Sequence, residues 1–102
     1  LKFSNKLAPV KAAVFPLVNK EGMPEIAQKL YLNLQKDFKV QYDTSGAIGR
    51  RYRRQDEIGT PFCITVDGET VSNNTVTIRD RDTMVQDRID ISKVTEYLKS
   101  KI

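Results

Sequence analysis

An uninterrupted apolar run near the start of the chain, Lys11–Val18 (KAAVFPLV), most strongly limits the fold. After its first lysine the run contains no polar side chain, so both faces of an extended segment would be apolar. Strands of this kind occur in parallel sheets that helices cover on both sides. A second run, Pro61–Asp67 (PFCITVD), is by composition the most buried strand. The two runs therefore predict an α/β fold.

The remaining residues alternate between helical and strand patterns. The predicted elements are a helix over Pro24–Asp37, a strand over Phe38–Tyr42, a helix from about Ala47, a loop over Gly68–Asn74, strands over Thr75–Asp82 and Val85–Ile91, and a last helix over Lys93–Ile102 capped by Ser92. Right-handed crossovers would make the first three strands parallel. We therefore expect a five-stranded mixed sheet, with three parallel strands and a C-terminal antiparallel hairpin, flanked by three helices.

Periodicity also predicts which side chains face the core. The expected positions are Ile26, Ala27, Leu30 and Leu34 in the first helix, Ile48, Tyr52 and Gln55 or Asp56 in the second, Val76, Ile78, Val85, Ile89 and Ile91 in the hairpin, and Val94, Leu98 and Ile102 in the last helix. Gly49 lies inside the second helix, where glycine costs about 1 kcal/mol relative to alanine. This position predicts the close approach of another backbone or a ligand.

The second helix contains an arginine cluster, formed by Arg50, Arg51, Arg53 and Arg54. The preceding residues, Asp43 to Gly46, have the composition of a turn and helix cap. Arg50, Arg53 and Arg54 share one helix face with Glu57, which follows Arg53 by four positions and can form an ion pair with it. Two interpretations stay open: a solvated face with one intrahelical ion pair, or a face that binds phosphates.

The C-terminal hairpin contains a second group of cations. Alternation places Arg79, Arg81 and Arg88, together with Gln86, on the face away from the core. Four aspartates are interleaved with these arginines, namely Asp80, Asp82, Asp87 and Asp90. The simpler interpretation is an outer face stabilised by salt bridges. The alternative is an anion-binding surface, which suits a chain with a net charge of +4.

Several classes of catalytic and metal site are excluded by composition. The chain has no histidine and one cysteine, Cys63, so it has no internal disulfide, no Cys/His zinc cluster and no histidine-based triad. Cys63 lies in an apolar strand and is expected to be a buried, inert thiol, which fits a reducing compartment such as the cytosol. Walker and G-x-G-x-x-G loops are absent, and no apolar run approaches the roughly 18 residues of a membrane span. We therefore expect a binding module without catalytic or metal-ligating residues.

Three strings carry a resemblance to a known family: LAPVKAAVFPLV, SGAIGRRYRRQDEIGTPFCITVD and NTVTIRDRDTMVQDRI. They resemble the C-terminal anticodon-binding domain of class II aminoacyl-tRNA synthetases, most closely the glycyl enzyme of the dimeric type. The resemblance implies that residues 9–102 form this domain and that residues 1–8 are a linker from an N-terminal catalytic domain. It also implies a cytoplasmic, homodimeric parent that attaches glycine to its tRNA using ATP and Mg²⁺.

On this resemblance the partner is the anticodon loop of glycine tRNA, whose second and third anticodon bases are cytosines. Cytosine presents an amino donor beside two acceptors, so a carboxylate and an arginine can read it together. The resulting candidates for base contacts are Arg79, Arg81, Glu57, Asp80 and Arg88, and the candidates for RNA-backbone contacts are Arg50, Arg53 and Arg54. Two alternatives stay open: a processivity subunit of a DNA polymerase, or a generic protein-interaction module.

Overall fold

A computed structural model describes residues 10–17, 22–44 and 46–101 of the chain. Its elements in chain order are β1 (Ala12–Pro16), α1 (Met23–Leu34), β2 (Val40–Tyr42), α2 (Ile48–Ile58), β3 (Phe62–Val66), α3 (Gly68–Asn73), β4 (Thr75–Asp80), β5 (Gln86–Asp90), a 3-10 turn (Ile91–Lys93) and α4 (Val94–Lys101). The predicted linker over residues 1–8 lies outside the described residues. No helix within the described ranges is long and apolar enough to cross a membrane.

The strands form one five-stranded sheet in the order β2-β1-β3-β4-β5. β1 pairs in parallel with both β2 and β3, and β4 pairs antiparallel with β3 and with β5. The predicted mixed sheet, with three parallel strands and a C-terminal antiparallel hairpin, is confirmed. Crossover helices α1 and α2 make the parallel pairings possible, because parallel neighbours cannot be joined by a tight turn.

Two apolar clusters lie on opposite faces of the sheet. The larger one joins α1 and α4 to the sheet through residues such as Leu30, Leu34, Val14, Ile64, Ile78 and Leu98. The smaller one consists of Ala13, Phe15 and Cys63, with Ile48 and Tyr52 of α2 packed against them. All residues of β1 and β3 are therefore buried, as their continuous apolar sequences predict. The smaller cluster contains no residue of β4 or β5, so α2 leaves the outer part of that face uncovered.

A short helix, α3, replaces the predicted loop over Gly68–Asn74. Its start is a capping box: the Asp67 carboxylate accepts from the Thr70 backbone N–H, and the Thr70 hydroxyl accepts from the Asp67 N–H. Asn74 ends the helix in the left-handed region, with φ 64°. Reciprocal capping satisfies the first-turn donors and explains why so short a polar segment is helical. The sheet is thus flanked by four α-helices instead of the predicted three.

The hairpin begins at Thr75 as predicted, but its second strand and the last helix each begin one residue later than predicted. Val85 lies in the turn before β5 and is 52% exposed, so its assignment to the core is wrong. Ile89 and Ile91 do pack against the larger cluster, as expected. Asp90, and not Ser92, is the cap: its carboxylate accepts from the Ser92 N–H and starts a 3-10 turn that leads into α4. Ile102 lies outside the described residues.

The expected cap of α2 is also wrong, and one of the two expectations about Gly49 is not met. The cap position is Ala47, which has no side chain able to bond the first-turn donors, although Asp43 to Gly46 have cap-like composition. A methyl group added to Gly49 would meet nothing within 4 Å, so no backbone of the described residues approaches it closely; the alternative expectation, approach of a ligand, stays a prediction. Ser45 lies outside the described residues.

Candidate nucleic-acid interface

The α2 side of the hairpin presents a polar surface, on which Gln86 and Arg88 of β5 are exposed. Strand alternation turns Val76 and Ile78 toward the larger apolar cluster and Arg79 toward the α2 side. In the register of the hairpin, Arg79 lies opposite Gln86, and Thr77 lies opposite Arg88. These four side chains form a continuous strip, which we call the open strip. The predicted orientation of Arg79, Gln86 and Arg88 is confirmed.

Arg79 occupies the end of the open strip that adjoins α2. Its guanidinium lies 5.0 Å from the centroid of the Tyr52 ring. Nη1 is 3.9 Å from Oδ2 of Asp56, and Nη2 donates to Sδ of Met84 at 3.3 Å. The side chain keeps 17% of its surface exposed. Arg79 is thus held on three sides by an aromatic face, a carboxylate and a thioether, with a planar donor edge left at the surface.

Tyr52 is the platform beneath Arg79. Its ring packs edge-on against Phe15 at 5.1 Å between centroids, and its hydroxyl forms a hydrogen bond with the Thr65 hydroxyl. Burial raises the pKa of the Tyr52 phenol above its usual value. The ring is therefore neutral and fixed in place, which suits a cation–π contact.

Arg88 forms a clamp at the other end of the open strip. It pairs with Asp67, the cap of α3, and its Nε is 3.2 Å from a carboxylate oxygen of Glu69. It also donates to the hydroxyls of Thr75 and Thr77, each at 3.0 Å. Burial alone would raise the pKa of Asp67, but hydrogen bonds from Arg88 and Thr70 hold it below its usual value. Arg88 thereby ties β5 to the start of α3.

Asp80 and Asp87 lie on the opposite face of the sheet from Arg79. Burial raises the pKa of Tyr97 in α4, and the charges of these two aspartates raise it further. Asp80 also accepts from the backbone N–H groups of Asp82 and Thr83, at 2.9 and 3.3 Å. Two of the four interleaved aspartates are therefore separated from the arginines of the open strip by the sheet. The carboxylates that face the arginines of the open strip come instead from α2 and α3.

Arg81 lies in the turn that follows β4. Its backbone N–H donates to the carbonyl of Pro61 at 2.8 Å, and its Nη1 is 3.7 Å from Oδ1 of Asp82. The side chain keeps 18% of its surface exposed, close to the fraction of Arg79. Arg81 is thus placed at the rim of the interface by the turn, not by strand alternation.

The four arginines of α2 have different surroundings. Arg51 is only 5% exposed and donates to the carbonyls of Pro16 and Gly46. Arg54 pairs with the buried carboxylate of Asp43. Arg50, Arg53 and Glu57 are exposed, and no ion pair joins Arg53 to Glu57 within the described part of the chain. The predicted intrahelical pair is therefore absent. One member of the cluster, Arg51, has a structural role, because its hydrogen bonds attach α2 to the end of β1.

Three residues of the interface were not identified as functional from the sequence. Tyr52 and Asp56 lie on the face of α2 that periodicity assigns to the core, and only the packing of α2 shows that they flank Arg79. Asp67 ends an apolar strand and gives no sign of its pairing with Arg88. The described residues contain no group of three His, Cys, Asp or Glu side chains able to hold a metal ion.

Comparison with known proteins gives a consistent result. A family model described as an anticodon binding domain matches residues 11–101. The glycine–tRNA ligase of Rhodopirellula baltica is 57% identical over 102 residues, which cover 100% of this chain and 19% of that protein. The glycine–tRNA ligase of Methanococcus maripaludis strain C6 is 59% identical over 101 residues, which cover 98% of this chain and 18% of that protein. The chain thus spans less than a fifth of the length of these relatives.

The fold also matches a solved structure. A prolyl-tRNA synthetase from Cryptosporidium parvum has a TM-score of 0.86 to this chain at 22% sequence identity. The match covers 98% of this chain and 23% of that one, and it supports the fold alone. The comparisons give no support to a polymerase subunit or a generic interaction module. The chain belongs to the anticodon-binding domain family.

Proposed function

We propose that this chain binds the anticodon loop of glycine tRNA, as the anticodon-binding domain of a glycine–tRNA ligase. The observation that carries the proposal is the placement of Arg79, a partly exposed guanidinium held between Tyr52 and Asp56 where α2 adjoins the open strip. Single-stranded loops are bound through splayed bases that stack on flat groups and pair through their edges. Arg79 offers a flat cation with a donor edge, and so meets both requirements.

The base contacts are assigned to the end of the open strip near α2. Arg79 and Arg81 supply donors for the acceptor atoms of cytosine. The matching carboxylate is Asp56, because Asp80 lies on the other face of the sheet beside Tyr97. Glu57 is exposed one position further along α2 and is the second candidate for the amino group of a base. Asp80 instead shapes the turn that carries Arg81.

The backbone contacts are assigned to the exposed face of α2. Arg50 and Arg53 are exposed there, and Arg54 extends beside them from its pair with Asp43. Arg88 is assigned a weaker role in RNA binding, through its charge, because its donors already bind Asp67, Thr75 and Thr77. Phosphate contacts of this kind supply affinity and position the RNA, while the base contacts supply specificity.

In the parent enzyme, the residues that catalyse the attachment of glycine would lie outside this chain. Residues 9–102 would form the anticodon-binding domain, and residues 1–8 would lead to it from a catalytic domain. The parent would be a cytoplasmic homodimer that attaches glycine to tRNA with ATP and Mg²⁺. In such an enzyme this chain has no catalytic step: it holds the anticodon loop while the reaction takes place elsewhere.

A titration with two RNAs tests the proposal. The chain is titrated with a glycine anticodon stem-loop and with a copy in which the second and third anticodon bases are changed, both at moderate salt. We expect tighter binding to the unchanged stem-loop. Equal affinity for the two RNAs would contradict the proposal, and tighter binding to duplex DNA than to either RNA would favour the polymerase-subunit alternative.

A further inference from the structure

The turn between β4 and β5 holds a methionine in an uncommon backbone conformation. Met84 has φ 60°, in the left-handed region that residues other than glycine rarely adopt. Its N–H donates to the carbonyl of Asp80 at 2.8 Å, while the Asp80 carboxylate accepts from the backbone N–H groups of Asp82 and Thr83. These bonds define the conformation and direct the side chain back toward β4. As a result Sδ lies 3.3 Å from Nη2 of Arg79, although 61% of Met84 is exposed.

Met84 is the accessible sulfur of this chain. The sequence contains two methionines and one cysteine. Met23 is 5% exposed and packs in the larger apolar cluster, and Cys63 is 3% exposed. Burial raises the pKa of the Cys63 thiol to about 12, so the reactive thiolate is not formed at neutral pH. A soluble oxidant therefore meets one reactive sulfur, and that sulfur contacts the arginine to which base recognition is assigned.

We propose that Met84 is an oxidation site whose sulfoxide binds Arg79 and weakens RNA binding. The oxidant is a peroxide. One peroxide oxygen is transferred to the sulfur as the O–O bond breaks and the S–O bond forms. The sulfur loses two electrons, and the second oxygen leaves as water with both peroxide protons. The sulfoxide is reducible by thiol-dependent reductases, so the change is reversible.

The effect on Arg79 follows from the chemistry of the two acceptors. A thioether sulfur is a weak hydrogen-bond acceptor, whereas a sulfoxide oxygen is a strongly polar one. Tyr52 and Asp56 already hold the guanidinium beside Met84, so the new oxygen meets Nη2 without rearrangement of the sheet. A donor bound to the sulfoxide is no longer available to a base. This consequence for RNA rests on the proposed function, whereas the oxidation and the Arg79 contact do not.

The experiment treats the full chain with hydrogen peroxide and locates the added oxygen by mass spectrometry of its peptides. We expect one added oxygen, on Met84. The oxidised chain should bind the glycine anticodon stem-loop about tenfold more weakly, as expected for the loss of one charge-assisted hydrogen bond. Two variants serve as controls. The affinity of Met84→Leu should not change on peroxide treatment, and Met84→Gln, whose amide oxygen accepts as a sulfoxide does, should bind weakly without peroxide.

Two results would overturn the inference. One is oxidation of Met23 in preference to Met84. The other is a Met84 sulfoxide that leaves both RNA affinity and the Arg79 side-chain N–H resonances unchanged. The resonances separate this inference from the proposed function. If the untreated chain does not bind the stem-loop, the proposed function fails. The sulfoxide contact can still be tested in that case. A shift of the Arg79 resonances on oxidation supports the contact, and unchanged resonances contradict it.

Discussion

The guanidinium of Arg79 lies 5.0 Å from the centroid of the Tyr52 ring, and this contact joins β4 to α2. The ring is itself fixed by Phe15 and Thr65, which belong to the two central strands. The orientation of the arginine is therefore set by the core of the fold and not by the mobility of a surface side chain. An arginine restrained in this way loses less conformational entropy when it binds RNA.

The first prediction separates the ring of Tyr52 from its hydroxyl. Tyr52→Phe removes only the hydrogen bond to Thr65 and should cost about 1 kcal/mol in the free energy of unfolding, with RNA affinity nearly unchanged. Tyr52→Leu also removes the platform for Arg79 and the edge-on contact with Phe15. It should weaken RNA binding as well as stability. Urea unfolding and stem-loop titration of both variants test this, and equal RNA affinity of the two variants would show that the ring does not orient Arg79.

The second prediction concerns Arg79 itself. Arg79→Lys keeps the charge but loses the planar, two-pronged donor edge. We expect the discrimination between matched and altered anticodon bases to fall by about 1–3 kcal/mol, with the salt dependence of binding nearly unchanged. Lys29→Arg, at an exposed position of α1, is the control. It should alter neither the discrimination between bases nor the salt dependence of binding. If Arg79→Lys leaves the discrimination intact, Arg79 does not read a base.

Local patterns predicted the parts of this fold that depend on one strand or helix. Strand alternation alone turns Val76 and Ile78 inward and Arg79 outward, and the continuous apolar sequences of β1 and β3 place them at the centre of the sheet. The capping of α3 was missed because Thr70 stands where the usual capping box has Glu or Gln.

The same reasoning does not predict contacts between segments that are far apart in the sequence. Helical spacing separates Arg51 from Arg50, Arg53 and Arg54, but it does not show which group receives the buried guanidinium. That group is the carbonyl of Pro16, at the end of β1, which accepts its hydrogen bond. The approach of Asp56 to Arg79 likewise depends on how α2 lies across the sheet. No periodicity encodes that angle, so the sequence offers Glu57 and Asp80 as carboxylates for a base and does not identify Asp56, although alternation already turns Asp80 to the opposite face.

The third prediction distinguishes phosphate contacts from structural arginines in α2. Arg53→Gln should weaken the binding of all RNA sequences alike and reduce the slope of log K against log salt by about 0.7, the value for one phosphate contact with a single strand. The free energy of unfolding should hardly change, because Arg53 is exposed. Arg51→Gln should instead destabilise the fold, since it removes a buried donor from the Pro16 and Gly46 carbonyls. An unchanged salt slope for Arg53→Gln would remove Arg53 from the interface.

The fourth prediction concerns pH and the pair formed by Asp67 and Arg88. The pKa of Asp67 is lower in the folded state than in the unfolded state. The stabilisation is therefore fully present above the unfolded value, about pH 4, and is lost as the pH falls through the folded-state pKa. Asp67→Asn keeps an acceptor for the Thr70 N–H but loses the charge that pairs with Arg88. It should cost about 1–2 kcal/mol at neutral pH.

Measuring the stability of Asp67→Asn at acidic pH provides the control for this prediction. As the pH falls through the lowered folded-state pKa of Asp67, the wild-type carboxyl becomes protonated, so the difference in unfolding free energy between wild type and Asp67→Asn should narrow. Urea unfolding at neutral and at acidic pH measures both differences. A difference that stays constant with pH would mean that the substitution acts through the cap of α3 and not through the charge pair.

The last prediction tests whether RNA approaches the backbone of α2. Gly49 lies within the helix at an ordinary φ, and a methyl group there would meet nothing within 4 Å among the described residues. Gly49→Ala should therefore stabilise the chain by about 0.5–1 kcal/mol, because alanine loses less entropy on entering a helix. If the glycine exists to admit a phosphate between Arg50 and Arg53, the same variant should bind the stem-loop more weakly although it is more stable. Higher stability together with weaker RNA binding would support that contact. Higher stability with unchanged affinity would show that the RNA backbone contacts the arginine side chains and does not reach the backbone of the helix.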